Sequence, residues 1–180
     1  MKELRKIIEV MHERVVKVLF KLTEKDPEVA HLLVEKVLNN IYRMKMEKLL
    51  FDCPENLIKT PFEISNAAGF NKNGLMPPSV LKYLGFDRMV VGTVTFQGWE
   101  GNPRPRMQRF LETESIVNWM GLPGVGAEKV CEILKGYGES CLPITWNFMS
   151  TPQRKNIEEE LEDIERTILL SKEIHAIDRY

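Results

Sequence analysis

The feature that most constrains this chain is a repeated pairing of a short apolar run with a polar, glycine-rich segment. Ala67-Ala68-Gly69-Phe70-Asn71-Lys72-Asn73-Gly74, Gly92-Thr93-Val94-Thr95, Gly101-Asn102-Pro103-Arg104-Pro105-Arg106 and Asn118-Trp119-Met120-Gly121 each follow or flank such a run. Buried apolar runs alternating with amphipathic stretches predict parallel strands joined by helical crossovers. In parallel sheets ligands sit at the carboxyl ends of the strands, where Gly69–Gly74, Thr93–Thr95 and Asn147 are expected to fall.

The rest of the chain fits that plan. Residues 3–23 predict a helix, with Leu4, Ile7, Ile8, Met11, Val15, Val18, Leu19 and Leu22 at three- and four-residue spacing. Asp26-Pro27-Glu28 predicts a second helix start: an acceptor for free N–H groups, a ring suited to the first turn, and an acid at the positive end. That helix is expected to reach about Leu50, with Leu33, Val37, Ile41 and Met44 inward, making an αα-hairpin with the first. A linker is expected from Cys53-Pro54 to Pro61. Strands are predicted over Glu63–Phe70, Arg88–Val94, Pro143–Phe148 and Ile174–Tyr180, and a loop over 97–106. Helices are predicted over Pro78–Leu84 and Gly124–Leu134. A last helix is expected from a Thr151-Pro152 cap to Glu173, with Ile157, Leu161, Ile164 and Ile168 inward.

Composition excludes several classes. A net charge of −1 over 180 residues gives no basic field for nucleic acid. Three cysteines without a CxxC pair, and three scattered histidines, argue against a disulfide framework or a metal site. No apolar stretch approaches the ~20 residues that span a bilayer. A cytoplasmic location is the simplest expectation, with peripheral contact on the inner membrane face as an addition. The amphipathic first helix either packs on the sheet or lies on a membrane surface.

Each polar segment has a functional and a plain reading. Ala67, Ala68 and Gly69 let a flat ring approach the backbone, or form an ordinary tight turn. Lys72 offers a cation to an anionic ring edge or carboxylate, or is a solvated lysine. Asn71 and Asn73 add amide donors. Thr93 and Thr95 alternate toward one face and can bond a ring carbonyl or phosphate, or reflect strand propensity alone. Asn118, within an apolar stretch, can donate to a carboxylate or bridge a loop.

Taken together, these motifs resemble the N-terminal half of a dihydroorotate dehydrogenase, most closely the membrane-associated, quinone-dependent class. Asp26-Pro27-Glu28-Val29-Ala30-His31 resembles that class's helical extension, and Ala67–Gly74 its first flavin loop, with Asn71 where aspartate is commoner. Gly92–Thr95 and Gly101–Arg106 match almost letter for letter, and Asn118–Leu122 resembles the substrate-binding segment. The resemblance implies an α/β fold: a helical hairpin over 1–52, then over 53–180 the first three to four βα units of a (β/α)8 barrel. It implies FMN as cofactor and oxidation of dihydroorotate to orotate in pyrimidine biosynthesis, with a quinone acceptor reached under the hairpin. Ala68, Gly69, Lys72 and Thr93 would contact FMN, as would Thr145 or Asn147. Lys72, Asn118, Trp119, Met120, Gly121 and Leu122 would hold the substrate. The sequence departs from the family where Thr145 occupies a flavin-binding asparagine position, Trp119 an arginine and Leu122 an aromatic. It also lacks the Asn-Pro approach to the first strand, at Phe62-Glu63-Ile64-Ser65-Asn66.

A full barrel takes about 250 residues. The resemblance implies that the catalytic base and the phosphate-binding loops lie beyond Tyr180, leaving this chain inactive alone and needing self-association or a completing second chain. The alternative is a non-catalytic half-barrel remnant that self-associates or binds a partner or membrane surface. A third reading is an unrelated binder of phosphorylated ligands.

Overall fold

The computed structural model describes residues 18, 26–46 and 61–180. The predicted helix over 3–23, the linker and Cys53 lie outside the described residues, apart from Val18, which is helical, and Pro61. The chain divides into two compact units, Met1–Val34 with Pro103–Met120, and Glu35–Asn102 with Gly121–Tyr180.

Helix α1 (Pro27–Arg43) crosses that division after Val34. Asp26 caps it as the sequence predicts: its Oδ1 accepts from the N–H of Glu28 at 2.8 Å and of Val29 at 3.3 Å. Its end and its face differ from expectation. The helix stops at Arg43, where Lys45 turns into the left-handed region (φ 54°). Val37 and Met44 are exposed, whereas Leu38 and the acids Glu28 and Glu35 are buried. The inward face is chosen by polar partners that periodicity cannot see.

In the first unit, β2 (Met107–Phe110) and β3 (Ser115–Asn118) pair antiparallel, Arg109 opposite Ile116, across a 3-10 turn at Leu111–Thr113. This hairpin was not expected from the sequence. Its four-residue strands are too short to stand out, and β3 is exposed along its whole length, so no burial alternation marks it.

The second unit holds a parallel sheet of β1 (Met89–Thr95), β4 (Ile144–Met149) and β5 (Ile177–Arg179), in that spatial order. Helices α2 (Pro78–Tyr83), α3 (Ala127–Gly136) and α4 (Ile157–Ser171) alternate with them, which is an α/β arrangement. Met76, Leu81, Met89, Val91, Ile144 and Trp146 form the fully buried centre. Burying each aliphatic side chain contributes roughly 1.5–3 kcal/mol. On β4 the alternation is plain: Ile144 and Trp146 are buried, while Thr145 and Asn147 are half-buried.

The predicted strand over Glu63–Phe70 is reduced to one parallel bridge, Ser65 with Arg88. Asn66 explains this. Its buried side-chain amide donates to Val90 O at 2.7 Å, and its Oδ1 accepts from Val90 N at 2.9 Å. A side chain thus occupies the ladder positions that a second strand's backbone would take.

Helix α4 is also corrected. Thr151-Pro152 is not its cap. Asn156 is, with its Oδ1 accepting from Glu159 N at 2.9 Å and Glu159 Oε2 accepting from Lys155 N at 3.1 Å. Thr151 instead donates its N–H to Asp163 Oδ2 and accepts from Gln97 N. The buried positions are Asp163, Thr167 and Ser171, and Ile157 and Leu161 face outward. β5 begins only at Ile177, because Ile174 is still engaged in the turn that ends α4.

Candidate functional site

The carboxyl end of β1 is built around close backbone approach. Gly69, at φ 90°, donates its N–H to Gly92 O at 2.6 Å, and Gly92 donates to Asn71 O at 3.2 Å. A Cβ on Gly92 would lie 2.0 Å from the backbone oxygen of Asn147, so only glycine fits there. A Cβ on Gly69 would meet nothing within 4 Å, and Ala67 and Ala68 are exposed. These three small residues form an open shelf directly beside β1.

Thr93 stands at the edge of this shelf, half-buried, its hydroxyl 2.6 Å from Asn147 Oδ1, to which it donates. The structure thus joins Thr93 and Asn147 into one element. Thr95 does not accompany Thr93. It is buried and donates to Gln97 O at 2.6 Å, closing a turn. The reason is a register shift: Val91 pairs with Trp146 but Val94 with Phe148, so β1 carries one extra residue and the simple alternation breaks. Thr145 sits half-buried in the ladder opposite Val90.

The loop after the shelf is held from inside. Asn71 is fully buried, accepting from Met76 N and donating to Met76 O, both at 3.0 Å. It clamps residues 71–76 and is not a ligand donor. Asn73 Oδ1 likewise accepts from Val125 N at 3.2 Å. Lys72 is half-buried on the same loop. Its positive charge acts on Glu35 of α1, a carboxyl that burial pushes up to about 7 against the pull of Lys72. Tyr137, which caps the end of α3, donates to the carbonyls of Gly74 and Leu75, both at 3.0 Å, and Asn39 of α1 donates to Leu75 O at 3.0 Å. Burial raises the Tyr137 hydroxyl pKa, with Tyr42 and Glu35 adding to it. Sequence reasoning missed Glu35. The signal was there: Glu35, Asn39 and Tyr42 are spaced four and three apart, a polar stripe on one helix face.

Of the substrate-segment residues, Asn118, Trp119 and Met120 belong to the first unit, and Gly121 and Leu122 to the second. Asn118 pairs opposite Met107, and Trp119 N donates to Arg106 O at 3.0 Å; both side chains are exposed. A Cβ on Gly121 (φ 70°) would crowd Asn102 at 2.7 Å, and Leu122 is left-handed at φ 58°. Arg106 spends its charge within the first unit, where its guanidinium meets the buried Glu28 carboxylate at 2.6 Å, and Arg104 adds a contact at 3.0 Å. Among the described residues no cluster of three or more His, Cys, Asp or Glu can hold a metal ion, and no helix is long and apolar enough to cross a membrane.

The family model described as dihydroorotate dehydrogenase matches residues 50–172. The chain belongs to the dihydroorotate dehydrogenase family. It is 32% identical to a dihydroorotate dehydrogenase (quinone) from Nitratiruptor sp., over 94% of this chain and 49% of that protein. It is 38% identical to a dihydroorotate dehydrogenase (quinone) from Nitrosomonas europaea, over 63% of this chain and 34% of that one. The ligand-free crystal structure of DHODH from Eimeria tenella superposes with a TM-score of 0.64 at 25% identity, covering 81% of this chain and 42% of that structure. The ferulenol complex of DHODH from the same organism gives a TM-score of 0.61 at 26% identity, covering 78% of this chain and 40% of that one. The chain thus spans half or less of the length of these dihydroorotate dehydrogenases.

Proposed function

We propose that this chain is the N-terminal part of an FMN-dependent dihydroorotate dehydrogenase that oxidises dihydroorotate to orotate with a quinone acceptor. In this reading residues 1–52 form a helical hairpin on the quinone and membrane side, and 53–180 the first half of a (β/α)8 barrel. The barrel is supported by strand order: the Ser65 segment, β1, β4 and β5 lie side by side, parallel and in chain order.

The observation that carries the flavin reading is the shelf. Gly69 is open above its Cα and tied to Gly92, with Thr93 beside it and Lys72 on the following loop. A planar ring fits a surface of two exposed alanines and a glycine. Ala68, Gly69, Lys72 and Thr93 would hold FMN, with Thr145 and Asn147 lining the adjoining strand end. Within the second unit, Lys72, Gly121 and Leu122 would hold the substrate. FMN held there would supply a hydride acceptor and an electron route to quinone. Lys72 would balance negative charge on the ring edge or the substrate carboxylate, and the Thr93 hydroxyl would accept from a ring N–H while donating to Asn147. Because the chain spans only 49% of the length of its quinone-class relative, the 180 residues by themselves are expected to be inactive.

The test is FMN fluorescence on titration with the 180-residue chain. Quenching is expected, and Ala68→Trp, at an exposed position, is expected to weaken it by about tenfold or more. No quenching, or equal quenching by the variant, would overturn the flavin shelf. Turnover of dihydroorotate by the isolated chain would overturn the claim of inactivity.

A second reading, a non-catalytic half barrel that self-associates or binds a partner, draws support from Ile157, Leu161 and Leu169, which α4 leaves exposed. A stable homodimer on sizing chromatography, without FMN affinity, would favour it.

A further inference from the structure

We propose that Thr151 is a positioning residue: held by Asp163, it clamps the carboxyl ends of β1 and β4 just beyond the Thr93–Asn147 pair and so fixes where that pair points. Its bearing on FMN rests on the flavin reading of the shelf.

The strands need such a clamp. Gly92 and Thr93 of β1 together face Asn147 of β4, because Val91 pairs with Trp146 and Val94 with Phe148. The extra residue interrupts the ladder and re-aims the side chain beside it. Two pairs follow the bulge, Val94 with Phe148 and Thr95 with Met149. So short a stretch frays unless its end is tied.

Side chains supply the tie. The Thr95 hydroxyl donates to Gln97 O at 2.6 Å, and Gln97 N donates to the Thr151 hydroxyl oxygen at 3.1 Å. Thr151 N in turn donates to Asp163 Oδ2 at 2.9 Å. Arg154 grips the same carboxylate twice, Nε to Oδ2 and Nη2 to Oδ1, each at 2.8 Å. Such bidentate pairing fixes direction as well as distance. Thr95, Thr151 and Asp163 are 1%, 3% and 5% exposed, so water competes little for these bonds. Asp163 stands in the second turn of α4, where the Thr167 hydroxyl donates to its carbonyl at 2.8 Å. On the far side, Ala127 N donates to Phe96 O at 3.1 Å, fastening the loop after β1 to the start of α3. One loop is thus held by α3 and the other by α4, and Thr151 joins the two.

What the clamp sets is chemical. Thr93 gives its one hydroxyl proton to Asn147 Oδ1 at 2.6 Å. That leaves the Thr93 oxygen as an acceptor and the Asn147 amide as a donor. The bond lasts while β1 and β4 keep their spacing at the bulge. A strand end that opens by about 1 Å carries the two side chains out of hydrogen-bond range, and each then turns to water.

The test uses the 15N-labelled 180-residue chain, with the Asn147 side-chain amide assigned by its loss in Asn147→Ser. Thr151→Val keeps the shape and removes the hydroxyl. It is expected to shift the Asn147 amide signals, and Thr151→Ser is expected to leave them in place. Leu142→Ala, a buried change just before β4, should lower the unfolding midpoint without that shift. An unmoved Asn147 amide in Thr151→Val, or an equal shift in Leu142→Ala, overturns the proposal. If Thr151→Val does not fold, Arg154→Met is judged by the same two outcomes. FMN affinity then reads the consequence. Thr151→Val should weaken binding about three- to tenfold, and Thr151→Ser by less than about twofold. In an Asn147→Ala background Thr151→Val should cost nothing further, and an undiminished loss there overturns positioning through the pair. A wild-type chain that binds no FMN, with the Asn147 shift still present in Thr151→Val, would remove the flavin reading and leave the clamp supported.

Discussion

Replacing Asn66 by alanine should cost this protein a large part of its stability. The Asn66 amide supplies both hydrogen bonds that Val90 makes on that side of β1, at 2.7 and 2.9 Å, and the residue is only 5% exposed. Alanine leaves the Val90 N–H and C=O without those partners. Each buried backbone group so abandoned costs about 1–3 kcal/mol. Val90 is half-buried, so water recovers part of this, and the expected total is about 2–4 kcal/mol. A domain of this size has about 5–15 kcal/mol to lose. Urea unfolding is the assay. With a slope of about 2 kcal/mol per molar, the midpoint should fall by about 1–2 M. Asn66→Asp is the sharper variant. It keeps the acceptor for Val90 N–H but sets a carboxylate against the Val90 carbonyl. Its loss should equal or exceed that of alanine at neutral pH and shrink as acid protonates the new carboxyl. Because Asn66 directly precedes the shelf, both variants should also weaken FMN. An alanine variant within about 0.5 kcal/mol of wild type would refute the idea that this side chain stands in for a strand.

Three other substitutions probe separate parts of the fold. Glu35→Gln should remove a pH dependence: the folded pKa of about 7 lies above the ordinary 4.5, so the Glu35 contribution to stability is greatest below about pH 4.5 and falls as pH rises toward 7. The variant should lack that fall, worth at most about 3 kcal/mol, and parallel unfolding profiles for the two proteins at acid and alkaline pH would sink the claim. Asp163 behaves oppositely. Burial would raise its pKa, but hydrogen bonds from Arg154 and Thr151 prevail and hold it below the usual range. Its contribution is therefore present above about pH 4 and lost in acid, and Asp163→Asn should cost about 3 kcal/mol by chemical denaturation at neutral pH. Arg106→Met takes the buried partner from the Glu28 carboxylate, leaves the contact with exposed Arg104, and should cost about 3 kcal/mol, while Glu28→Gln with Arg106→Met together should cost less than the sum, as a thermal melt of the double mutant would show.

Much of this protein was legible before any coordinates. The Asp26 cap, the starts of α2 and β1, the parallel alternation and the glycine positions at 69 and 92 all depend on neighbours within a few residues, and the structure has them where the sequence put them. What the sequence misjudged depended on partners far along the chain. The inward face of α1 was chosen by a loop some forty residues on, through Asn39 and Leu75. Asn66 replaced a strand because Val90 was waiting for it. The extra residue in β1 turned Thr95 away from Thr93. Local pattern fixes which backbone conformation each segment prefers, since φ, ψ and capping are settled over single turns. Which side of a segment is buried, and which polar group finds a partner there, is a property of the packed chain, and only the tertiary structure decided it.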